Sequence, residues 1–125
     1  MNEIINTSNA PAPIGPYSQA VMANGFLFLS GQIAINPESG LVVQSSLVEE
    51  THQVMRNIKA VLLEAGYGFE NVVKVSIFLS DMNLFAEVND IYGSYFETNF
   101  PARETIAVKG LPKGVNVEIS VTAYK

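Results

Sequence analysis

The cleanest alternation of apolar and polar positions lies near the C-terminus. Val115, Val117, Ile119, Val121 and Ala123 fall on one side of it, and Asn116, Glu118, Ser120 and Thr122 on the other. A period of two puts successive side chains on opposite faces of a strand, so 115–123 is predicted to be a strand with one buried face. The same period runs through 72–79, where Val73, Val75, Ile77 and Leu79 are set against Lys74 and Ser76. Residues 26–29, Phe-Leu-Phe-Leu, have no polar member and predict a strand covered on both faces. Asn24-Gly25 just before them is a two-residue hairpin turn, which makes 17–22 the antiparallel partner. Shorter strands are predicted at 3–6 and 104–109.

Two stretches change period. Leu47, Thr51, Val54, Ile58, Val61, Leu62 and Ala65 recur at three- and four-residue steps, the pattern of an amphipathic helix. Ser46 and Glu49 form a capping box at its start, and Gly66 stands where a helix ends. A second helix is predicted to start near Asn83 as N-cap. Its stripes are Leu84, Val88, Ile91 and Tyr95, and Phe85, Tyr92 and Phe96, with Asn89 in the gap between Phe85 and Tyr92. The prolines at 11, 13 and 16 with Gly15 make 7–16 an ordered but irregular loop.

The order is strands, helix, strand, helix, two strands. It predicts one α+β domain over 1–125, a single sheet with both helices on one face. The apolar strand 26–29 then requires a cover for the other face, and a second copy of the chain is the economical one.

Composition narrows the function classes. At 125 residues, 48% hydrophobic and 15% charged, the chain is long enough for one core and too apolar to be disordered. A net charge of −5 argues against sequence-independent nucleic-acid binding, although an anionic metabolite can still bind where local charge allows. With no cysteine there is no disulfide, thiol nucleophile or thiolate metal site. His52 is the sole histidine, at the edge of the first helix's apolar face, so neither a histidine metal cluster nor a Ser-His-Asp triad can be built. Residues 1–6 hold an acid and no basic cluster, and no apolar run approaches the roughly 20 residues of a membrane span. A cytoplasmic protein without membrane contact is expected.

Arginines are scarce, only Arg56 and Arg103. Arg103 follows Pro101 where a loop enters a strand, and its forked donors suit a carboxylate. Pairing with a neighbouring acid is the plain alternative. Glu118 sits mid-strand, unusual for a carboxylate. On a solvated face it does nothing; on a covered face burial raises its pKa into a range useful for moving a proton. Arg103 with a nearby Glu is a workable pair, one anchoring an acid substrate and the other positioning a water. Tyr17 is a ligand donor or half-buried core; Ser30, with no partner histidine, is a poor nucleophile and reads as a turn cap; and Asn89, an amide that must be hydrogen-bonded if buried, reads as a tie between the second helix and a neighbouring loop.

Together these stretches resemble one family. Ala10-Pro11 with Ile14-Gly15-Pro16-Tyr17-Ser18-Gln19-Ala20, Ser30-Gly31-Gln32-Ile33, 57–62, Val72-Val73-Lys74, Asp81-Met82, Val88-Asn89, Pro101-Ala102-Arg103, Leu111-Pro112-Lys113 and Val117-Glu118-Ile119 look like the RidA (YjgF) family, in order and over nearly the whole length. The resemblance implies a chorismate-mutase-like α+β fold. In it a mixed six-stranded sheet carries two helices on one face, and three copies close a central β-barrel with clefts between subunits. It also implies hydrolysis of 2-imino acids, such as 2-iminobutanoate and 2-iminopropanoate, to 2-oxo acids and ammonia, with no metal or cofactor. Arg103 matches the arginine that grips the substrate carboxylate, and Glu118 the acid that orients water. Tyr17, Ser30 and Asn89 match cleft positions, and Gly31 keeps the wall close to the ligand. Thr105 stands where many relatives have Cys; Glu104 and Ala107 also depart from common members. A 2-oxo-acid-binding regulator without turnover and a ribonuclease or translation inhibitor are the alternatives.

Overall fold

The computed structural model describes residues 2–125; Met1, where the segment read as lacking a secretory leader begins, lies outside them. The strands are β1 (Glu3–Ile5), β2 (Ala20–Ala23), β3 (Phe26–Leu29), β4 (Val72–Leu79), β5 (Ala102–Ala107) and β6 (Val117–Tyr124). They form one mixed six-stranded sheet in the order β1-β2-β3-β6-β4-β5, with only β4 and β5 parallel. The helices are α1 (Leu47–Glu64) and α2 (Phe85–Gly93). The architecture is the expected α+β sheet with two helices. No helix among the described residues is long and apolar enough to cross a membrane.

The core lies between the sheet and α1. Leu27, Val75, Ile77, Leu79, Val117, Ile119 and Ala123 are buried against Val54, Ile58, Val61 and Leu62. The Asn24-Gly25 turn has positive φ at both residues, 52° and 86°, as a two-residue hairpin requires. Helix α1 opens with Ser46 Oγ accepting from the Glu49 amide at 3.1 Å, the serine half of the expected capping box. It closes with Gly66 at φ 80°. There the Tyr67 amide donates to the Leu62 carbonyl and the Gly66 amide to that of Leu63, a paired closure of the helix end.

Several boundaries differ from the sequence pattern. Strand β2 starts at Ala20 rather than residue 17, because pairing with both neighbours stops there: Ala20 faces Ile5 on one side and Leu29 on the other. Tyr17 is therefore a loop residue, half exposed. Val73 breaks the expected alternation. A register shift between Val72 and Lys74 inserts it as a bulge, so Val72 is buried and Val73 turns outward. Asp81, not Asn83, is the cap before α2: its carboxylate accepts from the Asn83 amide at 2.8 Å, and a short 3-10 turn over Met82–Leu84 precedes the helix. Helix α2 stops at Gly93, so Tyr95 and Phe96 pack from the turn beyond it, and the Tyr95 hydroxyl lies 2.7 Å from His52 Nδ1. Strand β5 starts two residues early, since its pairing with β4 begins at Ala102 opposite Lys74. Strand β6 starts two residues late, after a 3-10 turn over Pro112–Gly114.

The strand Phe26–Leu29 is covered on one face only. Leu27 and Leu29 are buried, whereas Phe26 and Phe28 are 39% and 48% exposed on the far side with Tyr124 beside Phe26. One copy of the chain leaves this apolar surface in water.

A buried carboxylate fastens α1 to β6. Glu50 is 1% exposed. Its Oε2 accepts from the backbone amides of Asn116 and Val117 at 2.8 and 3.1 Å, and its Oε1 from Asn116 Nδ2 at 3.2 Å. Glu50→Ala leaves three donors without their acceptor, so urea unfolding should show a loss of about 3 kcal/mol. A loss under about 0.5 kcal/mol would mean that water replaces the carboxylate at no cost.

Candidate functional site

The candidate residues fall into two groups. The first is built on β5, the edge strand. Arg103 is in register with Val75 and Thr105 with Ile77, and both partners point into the core, so Arg103 and Thr105 project from the helix face beside α2. Arg103 Nη1 donates to Asn89 Oδ1 at 2.7 Å. The guanidinium carbon lies 5.1 Å from the centre of the Tyr92 ring and 5.6 Å from that of Phe85. Phe85, Asn89 and Tyr92 follow at steps of four and three, one face of α2.

The neighbouring acid does not neutralise Arg103. Glu104 points from the opposite face of the sheet, where it pairs with Lys74 Nζ at 2.9 Å and accepts from the Ser76 hydroxyl. The Ser76 hydrogen bond, followed by the Lys74 contacts, holds the Glu104 carboxyl below the usual carboxylate range. Lys74–Glu104 is the one ion pair among the described residues, so Arg103 keeps its charge without a carboxylate partner. Beside it, Thr105 Oγ1 is buried and has no hydrogen-bond partner. Burial pushes the Tyr92 phenol up, and the adjacent Arg103 charge opposes that rise.

The second group surrounds Glu118. Glu118 is in register with Phe78 and so projects from the face opposite Ile119. Residues 31 and 32 lie against it because the Gln32 backbone exchanges hydrogen bonds with that of Ile119 at 2.8 and 3.1 Å. Gly31 sits directly on the carboxyl: a Cβ there would come within 2.9 Å of Glu118 Cδ, so the carboxyl position requires glycine. A cavity of about 400 Å³ opens beside it, bordered by Tyr17, Ser30, Gly31 and Glu118 and walled by Ile14 and Pro112. Burial raises the Glu118 pKa, the direction expected for a covered carboxylate. The Ser30 hydroxyl donates to the Ser18 carbonyl, which leaves its lone pairs for a ligand.

The structure thus brings Tyr17, Ser30, Gly31 and Glu118 together, and separately Arg103, Asn89 and Thr105. It does not bring the two groups together. Arg103 and Glu118 stand on opposite faces of one sheet, so within one chain they do not form the Arg–Glu pair. The cause is the period of two: Glu118 is out of phase with Ile119, and Ile119, Ile77 and Thr105 form one row.

Sequence reasoning missed the side chains that hold the loops. Gln19 is buried; its Oε1 accepts from the Thr7 amide at 2.7 Å, and its Nε2 donates to the carbonyls of Thr7, Ala10 and Pro11. That fixes the proline loop carrying Ile14 and Tyr17. Asn57 Nδ2 donates to the carbonyls of Ile33 and Ile35 at 3.1 and 3.0 Å and fixes the chain after Gly31. Asn57 did carry a signal, a polar residue three after Val54 and four before Val61 on the apolar stripe of α1.

The raised Glu118 pKa has a sign. Above its folded-state pKa the carboxylate is charged in both folded and unfolded chains, and folding carries the cost of burying it. Below the unfolded value, about 4.3, it is neutral in both and the cost is gone. Glu118→Gln should therefore raise the urea midpoint at pH 7, with the gain shrinking as pH falls toward 4. Equal gains at both pH values would sever the effect from the carboxylate's charge.

Comparison with known proteins gives a consistent set. The family model for endoribonuclease L-PSP matches residues 7–125. A RutC family protein of Pyrococcus horikoshii is 50% identical over 125 residues, covering 100% of this chain and 99% of its own. The 2-iminobutanoate/2-iminopropanoate deaminase of Capra hircus is 47% identical, covering 100% of this chain and 91% of its own. Among solved structures, a Rid family protein of unknown function from Yersinia pestis superposes with a TM-score of 0.97 at 50% identity over 100% of both chains.

Proposed function

The chain belongs to the endoribonuclease L-PSP family, also known as YjgF or RidA, and from that premise we propose that it is a hydrolytic deaminase of 2-imino acids such as 2-iminobutanoate and 2-iminopropanoate. The observation that carries the reading is the Arg103 guanidinium, held by α2 with no carboxylate partner beside the unpartnered Thr105 hydroxyl. A guanidinium kept in place and left unneutralised is a receptor for a small carboxylate.

The protonated imine is already electrophilic, so the protein has to position it and supply a base. Arg103 binds the carboxylate through two parallel N–H bonds, and Thr105 and Asn89 border it. A water oriented by Glu118 attacks C2, and Glu118 takes the proton. A C–O bond forms as the C=N π bond opens, giving a 2-amino-2-hydroxy acid. Glu118 returns the proton to nitrogen, the C–N bond breaks as an oxygen lone pair forms the C=O bond of the 2-oxo acid, and the hydroxyl proton leaves with the ammonia as ammonium. A carboxyl with a raised pKa suits both transfers.

Arg103 and Glu118 lie on opposite faces of one chain, so the complete site takes Arg103 from one copy and Glu118 from the next. A homotrimer with a closed central barrel supplies three such clefts and covers Phe26, Phe28 and Tyr124. Generating 2-iminobutanoate with threonine dehydratase in the presence of semicarbazide tests the activity. The expected result is faster appearance of 2-oxobutanoate and less imine reaching the trap. If turnover is absent while 2-oxobutanoate still raises Tm, the protein is a 2-oxo-acid-binding regulator. RNA cleavage, lost in Arg103→Ala, would be the outcome for a ribonuclease, a reading that the net charge of −5 disfavours.

A further inference from the structure

We propose that Phe85 and Tyr92 are positioning residues for Arg103: with Asn89 they form a cradle on one face of α2 that fixes the plane of the guanidinium and thereby which of its edges meets a carboxylate. The activity readouts below rest on the deaminase reading; the spectroscopic one does not.

Arg103 is exposed on an edge strand. An arginine there samples many rotamers, and ordering it on ligand binding costs entropy. This one is engaged before any ligand arrives. Asn89 takes one of five guanidinium donors and leaves the others available. Two rings stand within the distance at which a guanidinium is attracted to an aromatic face, 5.6 Å for Phe85 and 5.1 Å for Tyr92.

The rings are themselves anchored. Tyr92 is 4% exposed, and its ring packs 5.0 Å from that of Phe96, which packs 5.4 Å from that of Phe69. The cradle is the near end of an aromatic cluster that runs from α2 to the turn after α1. Aromatic rings restrain a cation without consuming its N–H groups, whereas a carboxylate would neutralise it. That is the arrangement a receptor for an external carboxylate needs: fixed orientation, with charge and donors unspent.

The test uses the full-length protein in its native assembly. Phe85→Leu keeps apolar bulk and removes the π face; Tyr92→Phe keeps the ring and Tyr92→Leu removes it. The chain has two arginines, so the Nε–Hε signals of ¹⁵N-labelled protein comprise Arg56 and Arg103, assigned by Arg103→Lys. Phe85→Leu and Tyr92→Leu should each raise the 2-oxobutanoate Kd and the imine KM about three-fold, with the smaller effect on kcat, and should sharpen the Arg103 Nε–Hε signal as the side chain is freed. Tyr92→Phe should stay near wild type in both. The proposal is overturned if the Arg103 signal and the Kd are unchanged in the leucine variants. It is equally overturned if losses track a fall in Tm and kcat with KM untouched, since the rings would then be core packing alone. Were the wild type to show no turnover, the deaminase reading would fail while the Arg103 signal still decided the cradle.

Discussion

Arg103→Ala should lower kcat/KM for 2-iminobutanoate by about 10³-fold while leaving the fold and the assembly intact. The size follows from two charge-assisted hydrogen bonds to the substrate carboxylate, each about 1.5–3 kcal/mol, lost together. The selectivity for function follows from the site. Arg103 has no ion pair to break, and its one hydrogen bond is to the side chain of Asn89. Arg103→Lys keeps the charge and loses the fork, so it should recover only part of the rate. The semicarbazide assay gives the rates; urea unfolding and sedimentation give the fold and assembly. A loss under tenfold would remove Arg103 from the carboxylate, and dissociation of the assembly would make it an interface residue instead.

The elements of the fold were legible because each rests on a local physical rule. The period of two in β6, the Asn-Gly hairpin and the three- and four-residue steps of α1 all survive in the structure, because nothing distant competes with them. Errors came where distant partners decide. The bulge at Val73 reflects how β4 meets β6, a relation between residues about fifty positions apart, and no local pattern encodes it. The start of β2 depends on where β1 and β3 stop pairing.

The site was legible residue by residue but not in its arrangement. A guanidinium beside a proline turn and a carboxylate in mid-strand can be found by composition and spacing. Which face of the sheet each occupies depends on the register of β5 on β4 and of β4 on β6, which spacing within a single strand does not give. Glu104, beside Arg103 in the sequence, illustrates the point. Adjacency makes it the natural counter-ion, and the strand's alternation sends it to the other face and to Lys74.

That two-faced arrangement leads to the sharpest expected result. Arg103→Ala and Glu118→Gln proteins should each be nearly inactive, yet mixing them should restore activity. If each site takes its arginine from one copy and its glutamate from the next, every mixed trimer contains one site with both native residues. Three quarters of trimers formed from an equal mixture are mixed, and each holds one intact site of three, so about one quarter of wild-type activity returns after denaturation and co-refolding. Refolding each variant alone and mixing afterwards should restore nothing, because the subunits have not exchanged. A site contained within one copy predicts no recovery under either protocol. Arg103 and Glu118 project from opposite faces of the sheet, which favours the shared site; zero recovery with trimers present would overturn it and with it the pairing of Arg103 and Glu118.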